Sequence, residues 1–487
     1  MQDNQGTNKK IISNVAWSYA ERFSTQMVST LVSIVLARLL ETEHYGVIAI
    51  VMVFISIMEV LITGGYGNAL IQKKDAQEVD FHTIFWVNMA IGVAEYTILF
   101  LGAPLVAQFY DMPILQPVLR VLGLRVFLSA IYSVQSAYVQ KKLQFRMFFF
   151  STLGGTIVSA VVGIAMALLG AGVWALVAQY LVSSFINVCV LWFLIDWSPK
   201  LRFSAARLKQ MMNFGTAMFM ATVINAFQDN IRSLVVGKKF NAETLAFYNQ
   251  GKKYPQLLMT DIIGSIGKVM FPVLSSQNAK DESKRLMRNA VRISTYILTP
   301  MVLGLIAIAD NFVLVLFTEK WMGCVVYMRI LALVFISRPI STILQNGLLS
   351  AGESKSNLVH EFACAVLSLI LIFVSVFVFE SAIFVALSYV IVMLVGLTIR
   401  MYYSSKYLDY SPAEIARDYL PYLLLAAVAC GGAFLFGFIN MHPFVLLVCQ
   451  VLVGGVLYVV LSALLKVPEF KMCLKLIKGF LPKGKKV

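Results

Sequence analysis

The chain has 487 residues, 59% of them hydrophobic and 13% charged, with a formal net charge of +15 and a mean hydropathy of +0.79. Soluble domains keep about a quarter of their residues charged to cover their surface, so this composition excludes a water-soluble globular protein and makes lipid the main solvent. The basic excess does not point to nucleic acid, because it is scattered in short clusters between apolar stretches.

In chain order, apolar stretches long enough to cross a hydrocarbon layer of roughly 30 Å as helices run near 11–40, 45–70, 81–109, 114–139, 147–169, 172–195, 208–237, 248–274, 288–317, 324–350, 357–379, 381–403, 416–439 and 443–465. The expected fold is an all-α integral membrane protein with about fourteen transmembrane helices. With the N-terminus placed in the cytoplasm, roughly 27 Lys and Arg fall on cytoplasmic segments and roughly 8 on the opposite side, as the positive-inside rule requires. The cytoplasmic clusters are Lys9/Lys10, Lys73/Lys74, Lys141/Lys142/Arg146, Lys200 to Lys209, Lys280 to Arg292 and the basic tail 467–487. Both termini are thus expected in the cytoplasm. Lys238, Lys239, Lys252 and Lys253 depart from the rule. The first helix reads as retained, because Glu21 and Arg22 interrupt its apolar run and no small-residue cleavage site follows.

A weak internal repeat is present. VLRVLGLRVFLSAI (118–131) aligns with YMRILALVFISRPI (327–340), placing Arg120 on Arg329, and Tyr45 and Gly64 match Tyr248 and Gly267. The simplest organisation is a six-helix N-lobe within 1–195, a cytoplasmic linker at 196–210, and a six-helix C-lobe at 208–403. Two further helices follow at 404–466, then the tail. A substrate cleft between two such lobes is the natural expectation.

Enzymatic chemistry finds little support. GSIGK (264–268) has two residues where a phosphate-binding loop needs four between its glycines, and Val269 stands in place of Ser or Thr. The four histidines, His44, His82, His360 and His442, read as isolated at helix ends, so no metal site is expected. The six cysteines form no CxxC pair and read as small packing residues. No extramembrane loop is long enough to fold alone.

The informative residues are charges within helices: Glu21, Arg22, Glu59, Glu95, Arg125, Asp229, Arg232, Asp261, Lys268 and Arg338. Each costs about 2.5–3.5 kcal/mol at the bilayer centre on insertion scales, so they are expected to face water, a ligand or each other. Ser18, Arg22, Thr25 and Ser29 share one face of the first helix by their spacing. Thr222, Asn225, Asp229 and Arg232 do the same in the seventh. Two such stripes favour a hydrated cavity, with Gln135 and Gln345 joining its lining. The competing reading is a set of salt bridges that orient helices, and Asp229 with Arg232 at i, i+3 is one candidate. Glu21, Glu59, Glu95, Asp261 and Lys268 are candidates for gating or for binding a coupling ion, H⁺ or Na⁺. No other cofactor is expected. An arginine-rich cavity suits an anionic ligand, since guanidinium binds phosphate bidentately.

The stretches LARLLETEHYGVIAI (36–50), NALIQKKDAQEVDFHTIFWVN (68–88), YVQKKLQFR (138–146), VMFPVLSSQNAKDESKRL (269–286) and FTEKW (317–321) make the chain similar to the polysaccharide transporter family of the multidrug/oligosaccharidyl-lipid/polysaccharide exporter superfamily, especially its colanic-acid, O-antigen and teichuronic-acid exporters. The resemblance covers nearly the whole chain. It implies flipping of an undecaprenyl-pyrophosphate-linked oligosaccharide across the bacterial inner membrane by alternating access, for surface polysaccharide assembly, alongside polymerase and synthesis partners. It also implies that Glu21/Arg22 parallels an acid/Arg pair of related lipid II flippases, with the order of charges reversed. A multidrug antiporter of the same superfamily and a membrane glycan polymerase or ligase are the alternatives. Cationic drugs prefer carboxylates to arginines, and the catalytic outer loop that a polymerase needs is missing.

Overall fold

The computed structural model describes residues 2–63, 70, 71, 73, 76–276 and 280–480; the side chains of 2–12, 15, 210–222, 224, 225, 260, 261, 280 and 475–480 lie outside the description. Every regular element among the described residues is helical: α1 (Gln2–Leu39), α2 (Thr42–Ile62), α3 (Glu78–Tyr110), α4 (Leu115–Leu122), α5 (Leu124–Lys141), α6 (Phe145–Leu168), α7 (Val173–Leu194), α8 (Ala205–Lys239), α9 (Ala242–Ser275), α10 (Lys280–Phe317), α11 (Cys324–Ser350), α12 (Ser354–Phe377), α13 (Ala382–Leu408), α14 (Pro412–Phe436), α15 (Pro443–Leu464) and α16 (Pro468–Phe480), with a 3₁₀ turn at Glu319–Trp321. Helices satisfy their own backbone hydrogen bonds, which an interior without water demands.

The chain is a multi-pass membrane protein, and the described residues do not confirm the expected count of fourteen spans. Among the described residues, 11 segments are long and apolar enough to cross a membrane, and 12 if α9, bent by 44°, counts as one. The shortfall lies in α1 and α8, which have 38 and 35 residues but carry the charged and polar stripes that lower their hydropathy. The bend falls between Met259 and Ile262; Pro255 and Pro272 also lie within α9, each removing one intrahelical hydrogen bond.

The chain divides into two compact units, Met1–Ala246 and Phe247–Val487. In the first, α6 packs against both α1 and α7, and α3 packs on α5. Ser151, Gly155, Ser159, Ala160 and Gly163 form the buried face of α6, and a Cβ at Gly163 would meet the Gln179 side chain at 3.0 Å. Small residues let membrane helices approach closely where lipid supplies no hydrophobic drive between them.

One end of this unit is fastened by a polar knot. Asp80, fully buried, accepts from Lys73 at 2.9 Å, Arg207 at 2.9 Å and the Gln77 backbone amide at 2.8 Å. The Lys200 amide donates to His82 Nδ1 at 3.2 Å, the Ser204 amide to Thr83 at 3.1 Å, and Trp86 to the Lys200 carbonyl at 2.9 Å. His82 also stacks on Trp197. The segment 196–207 is thereby strapped to the start of α3, which satisfies backbone groups that a bare connection would leave unpaired.

In the second unit, α10 packs on α11, α14 and α15, and α13 packs on α11 and α12. Asp418 of α14, also fully buried, accepts from Arg288, Arg292 and the Tyr410 hydroxyl. Tyr410 lies in the turn between α13 and α14, and burial together with the Asp418 carboxylate holds its hydroxyl well above the ordinary tyrosine range. Lys284 bridges to Glu414 at 2.9 Å, and Ser411 with Glu414 forms a capping box that starts α14.

Candidate functional site

The polar face of α1 divides between a neighbouring helix and open surface. Glu21 and Thr25 turn toward α6, where the Thr152 hydroxyl lies 3.1 Å from Glu21 Oε1 and 3.4 Å from the Thr25 hydroxyl. Thr152 also lies 2.7 Å from the Phe148 carbonyl, so one hydroxyl proton serves two acceptors. Ser18 is half-buried, and Arg22 and Ser29 are exposed. Adjacent residues of a helix point about 100° apart, which sends Glu21 into the α1–α6 contact and Arg22 out of it. Trp17 packs edge-on against Phe149, and the Arg146 guanidinium lies 5.6 Å from its ring centre.

A second polar group in the first unit joins α2, α5 and α7. Arg125 pairs with Glu59 at 3.0 Å, each side chain about one-fifth exposed. Ser129 donates to the same carboxylate oxygen at 2.8 Å, and Arg125 lies 5.7 Å from the ring centre of Tyr180. The pair neutralises much of the charge but leaves Arg125 donors beyond the one that Glu59 takes.

The remaining sequence candidates of this unit scatter. Gln135 is buried and donates to the Val188 carbonyl at 3.3 Å, which makes it a contact between α5 and α7. Glu95 is 4% exposed, and neither carboxylate oxygen has a partner among the described residues. Arg232 of α8 is buried and Asp229 exposed, while the side chains of Thr222 and Asn225 lie outside the described residues. Lys238, which departs from the positive-inside pattern, pairs with Asp111 at 3.1 Å.

In the second unit, Arg338 of α11 donates to the Tyr389 hydroxyl of α13 at 3.0 Å. Gln345 donates to Asn357 of α12 at 3.0 Å. Lys268 is exposed, and the Asp261 side chain lies outside the described residues.

Beside Arg338, the structure reveals a constellation that sequence reasoning missed. Arg400 of α13, 5% exposed, has Nη2 at 3.2 Å from both His360 Nδ1 and Glu361 Oε1, and those two atoms are 3.3 Å apart. His360 Nε2 lies 3.7 Å from Cys364 Sγ. His360 is therefore not isolated at a helix end, as expected, but buried and held by two charged neighbours. Glu361 and Arg400 fall inside the apolar stretches 357–379 and 381–403 but are 39 positions apart, so no local spacing pairs them. Only the α12–α13 contact joins them. Among the described residues, no group of three or more His, Cys, Asp or Glu could hold a metal ion.

The arrangement offers guanidinium groups with hydroxyl, amide and aromatic neighbours in both units, a chemistry for anions and sugars. A family model described as "Polysaccharide biosynthesis protein" matches residues 35–326, more than half of the chain. The chain is 24% identical to the succinoglycan biosynthesis transport protein ExoT of Rhizobium meliloti (strain 1021) over 64% of each chain. It is 25% identical to the teichuronic acid biosynthesis protein TuaB of Bacillus subtilis (strain 168) over 61% of this chain and 62% of that one. It thus spans a little under two thirds of each of these two relatives. The fold is shared with the lipid II flippase MurJ in an inward closed conformation, at a TM-score of 0.74 and 14% identity, covering 93% of this chain and 98% of that one. A multidrug resistance MATE family transporter of the MOP superfamily, in an inward-facing conformation, gives a TM-score of 0.62 at 11% identity, covering 80% and 98%.

Proposed function

We propose that this chain, which belongs to the polysaccharide biosynthesis protein family, is a flippase that carries an undecaprenyl-pyrophosphate-linked oligosaccharide from the cytoplasmic to the outer leaflet of a bacterial inner membrane. Transport proceeds by alternating access of two repeat lobes, within 1–195 and 208–403, with 196–210 as the cytoplasmic linker and both termini in the cytoplasm. The product feeds surface polysaccharide assembly by a polymerase partner.

The observation that carries this reading is the arginine set on membrane helices, Arg22, Arg125 and Arg232 in one unit and Arg338 in the other, of which Arg125 lies near the Tyr180 ring and Arg338 donates to the Tyr389 hydroxyl. Guanidinium pairs with phosphate bidentately, and each charge-assisted bond strengthens where water is scarce. The two relatives are named for succinoglycan biosynthesis transport and teichuronic acid biosynthesis, which agrees with an anionic glycolipid. The likeness to a multidrug transporter is one of fold, and arginines are poor partners for cationic drugs.

Moving a diphosphate outward carries about two negative charges away from a negative interior. That releases up to roughly 4–5 kcal/mol per 100 mV, so the membrane potential suffices as a driving force without ATP. The test is flipping of fluorescent undecaprenyl-pyrophosphate oligosaccharide in proteoliposomes by the wild type, Arg22→Ala and Arg232→Ala, with and without an imposed potential. Both substitutions are expected to lower the rate at least about tenfold, the loss of one charge-assisted phosphate contact. Wild-type rates in both variants would remove the cationic path.

A further inference from the structure

We propose that His360, Glu361 and Arg400 form a proton-binding site in the second unit, in which an imidazole and a guanidinium compete for one carboxylate. The argument is geometric. Arg400 Nη2, His360 Nδ1 and Glu361 Oε1 stand at the corners of a triangle with sides of 3.2, 3.2 and 3.3 Å. With Nδ1 unprotonated, the two N–H groups of Nη2 donate to Nδ1 and to Oε1, so two of the three edges are hydrogen bonds, and along the third, His360–Glu361, two acceptors face each other. A solvent proton added to the Nδ1 lone pair reverses this. Nδ1–H then donates to Glu361 Oε1, the Arg400 to Nδ1 bond is lost, and two cations meet across 3.2 Å with one carboxylate between them. No covalent bond besides N–H forms, and the proton comes from water.

The surroundings make the exchange consequential. On α12 itself the neighbours of His360 are Glu361 and Cys364, from α13 they are Arg400 and, through Arg338, Tyr389, and from α11 Arg338 acts electrostatically on both Glu361 and Arg400. Arg400 is 5% exposed, and its Nε already lacks a partner among the described residues, so losing the bond to Nδ1 adds a second unpaired donor to a buried guanidinium. A buried guanidinium that must share its one carboxylate with a second cation is costly. Proton uptake therefore either draws an anion to Arg400 or pushes α13 away from α12. Their contact is close at this point, since a Cβ at Gly396 would lie 2.8 Å from His360 Nε2. The opening for the proton is Glu361, whose side chain is 41% exposed, two turns or about 10 Å from the start of α12.

The inference does not depend on which lipid is carried, and its test uses no substrate. The full-length protein, labelled with ¹⁵N-histidine and placed in lipid nanodiscs, has four imidazoles, and His360→Gln identifies the signal of His360 by its loss. Competition predicts opposite effects at that signal over pH 5–8, the range in which imidazole changes charge. Arg400→Gln removes the rival cation and raises the proton affinity at least tenfold, whereas Glu361→Gln removes the acceptor and lowers it at least tenfold. Arg400→Lys keeps the charge, controls for misfolding, and leaves the affinity within about threefold of wild type. Shifts in the same direction, or no shift in either variant, would overturn the site.

Discussion

Glu59 and Arg125 separate a ligand-binding arginine from a helix brace. The two side chains meet at 3.0 Å with 21% and 23% exposure, between the exposed pair that contributes about 0–1 kcal/mol and the fully buried pair whose breakage costs about 3–5 kcal/mol. Ser129 adds a hydrogen bond to the same carboxylate at 2.8 Å. Glu59→Gln retains a carbonyl oxygen for Arg125 and should cost about 1–2 kcal/mol. Arg125→Ala leaves a carboxylate held by Ser129 alone and should cost about 2–3 kcal/mol, again as a fraction of the buried-pair figure. In the double variant the orphaned charge disappears, so its cost should fall about 1–2 kcal/mol below the sum. Melting followed by intrinsic fluorescence in detergent orders the four proteins. Flipping in proteoliposomes gives the second axis: Glu59→Gln should stay near the wild-type rate, because the cation survives. The double variant should be stable yet slowed about tenfold or more, a charge-assisted contact being about 1.5–3 kcal/mol. A double variant that flips at the wild-type rate would refute the reasoning and make Arg125 a brace.

Three further outcomes follow from the packing. Asp418→Ala removes the buried acceptor of two arginines and a tyrosine and should destabilise by about 3–5 kcal/mol, seen as a large drop in melting temperature or in yield of folded protein. Asp80→Ala should cost about 3–4 kcal/mol. Arg207→Gln, at the partly exposed end of the same knot, should cost about 1 kcal/mol; equal losses for the two would dissolve the idea that the buried carboxylate is the centre. Gly46→Val places a side chain on the Ala242 backbone, whereas a Cβ at Gly102 meets nothing within 4 Å. The first should therefore block folding or strip the close α2–α9 contact, measured by protease resistance, and Gly102→Ala should be neutral or slightly stabilising because alanine favours helix.

Much of this was legible in one dimension because the bilayer forces it to be. An apolar run that must satisfy its own backbone can only be a helix, so the described helices fall on the stretches that hydropathy marks. The fourteen-span count is not confirmed, and it rests on α1 and α8, whose charges lower the hydropathy by which spans are recognised. Candidate charges were legible only where partners share a helix turn or where a charge stands alone in an apolar run, as with Glu59, Arg125 and Arg338. The Thr152 contact with Glu21, the Asp80 knot and the His360–Glu361–Arg400 triangle join residues separated by tens of positions or more. Nothing in local spacing brings those together. Gln135 donates through Nε2 to the Val188 carbonyl while its Oε1 has no partner among the described residues, a pairing that a sequence cannot foresee because it depends on which acceptor lies nearest.

The internal repeat helps to separate scaffold from function. Arg120 and Arg329, aligned by the repeat, do the same work in their own units. Arg120 Nε donates to the Phe100 carbonyl of α3 at 3.2 Å, and Arg329 Nε donates to the Ile306 carbonyl of α10 at 3.3 Å. Each guanidinium also lies over an aromatic ring, Phe100 in one case and Phe434 in the other. A role kept in both copies is a structural one, clasping the long helix that precedes the next segment. The same alignment sets Arg125 against Val334 and Arg338 against Ser129. Those helices therefore place a cation in each unit, but at different steps along the helix and with different partners, Glu59 in one and Tyr389 in the other. Arg125 and Arg338 thus lack the aligned carbonyl clasp that Arg120 and Arg329 share, and each has to be tested within its own unit.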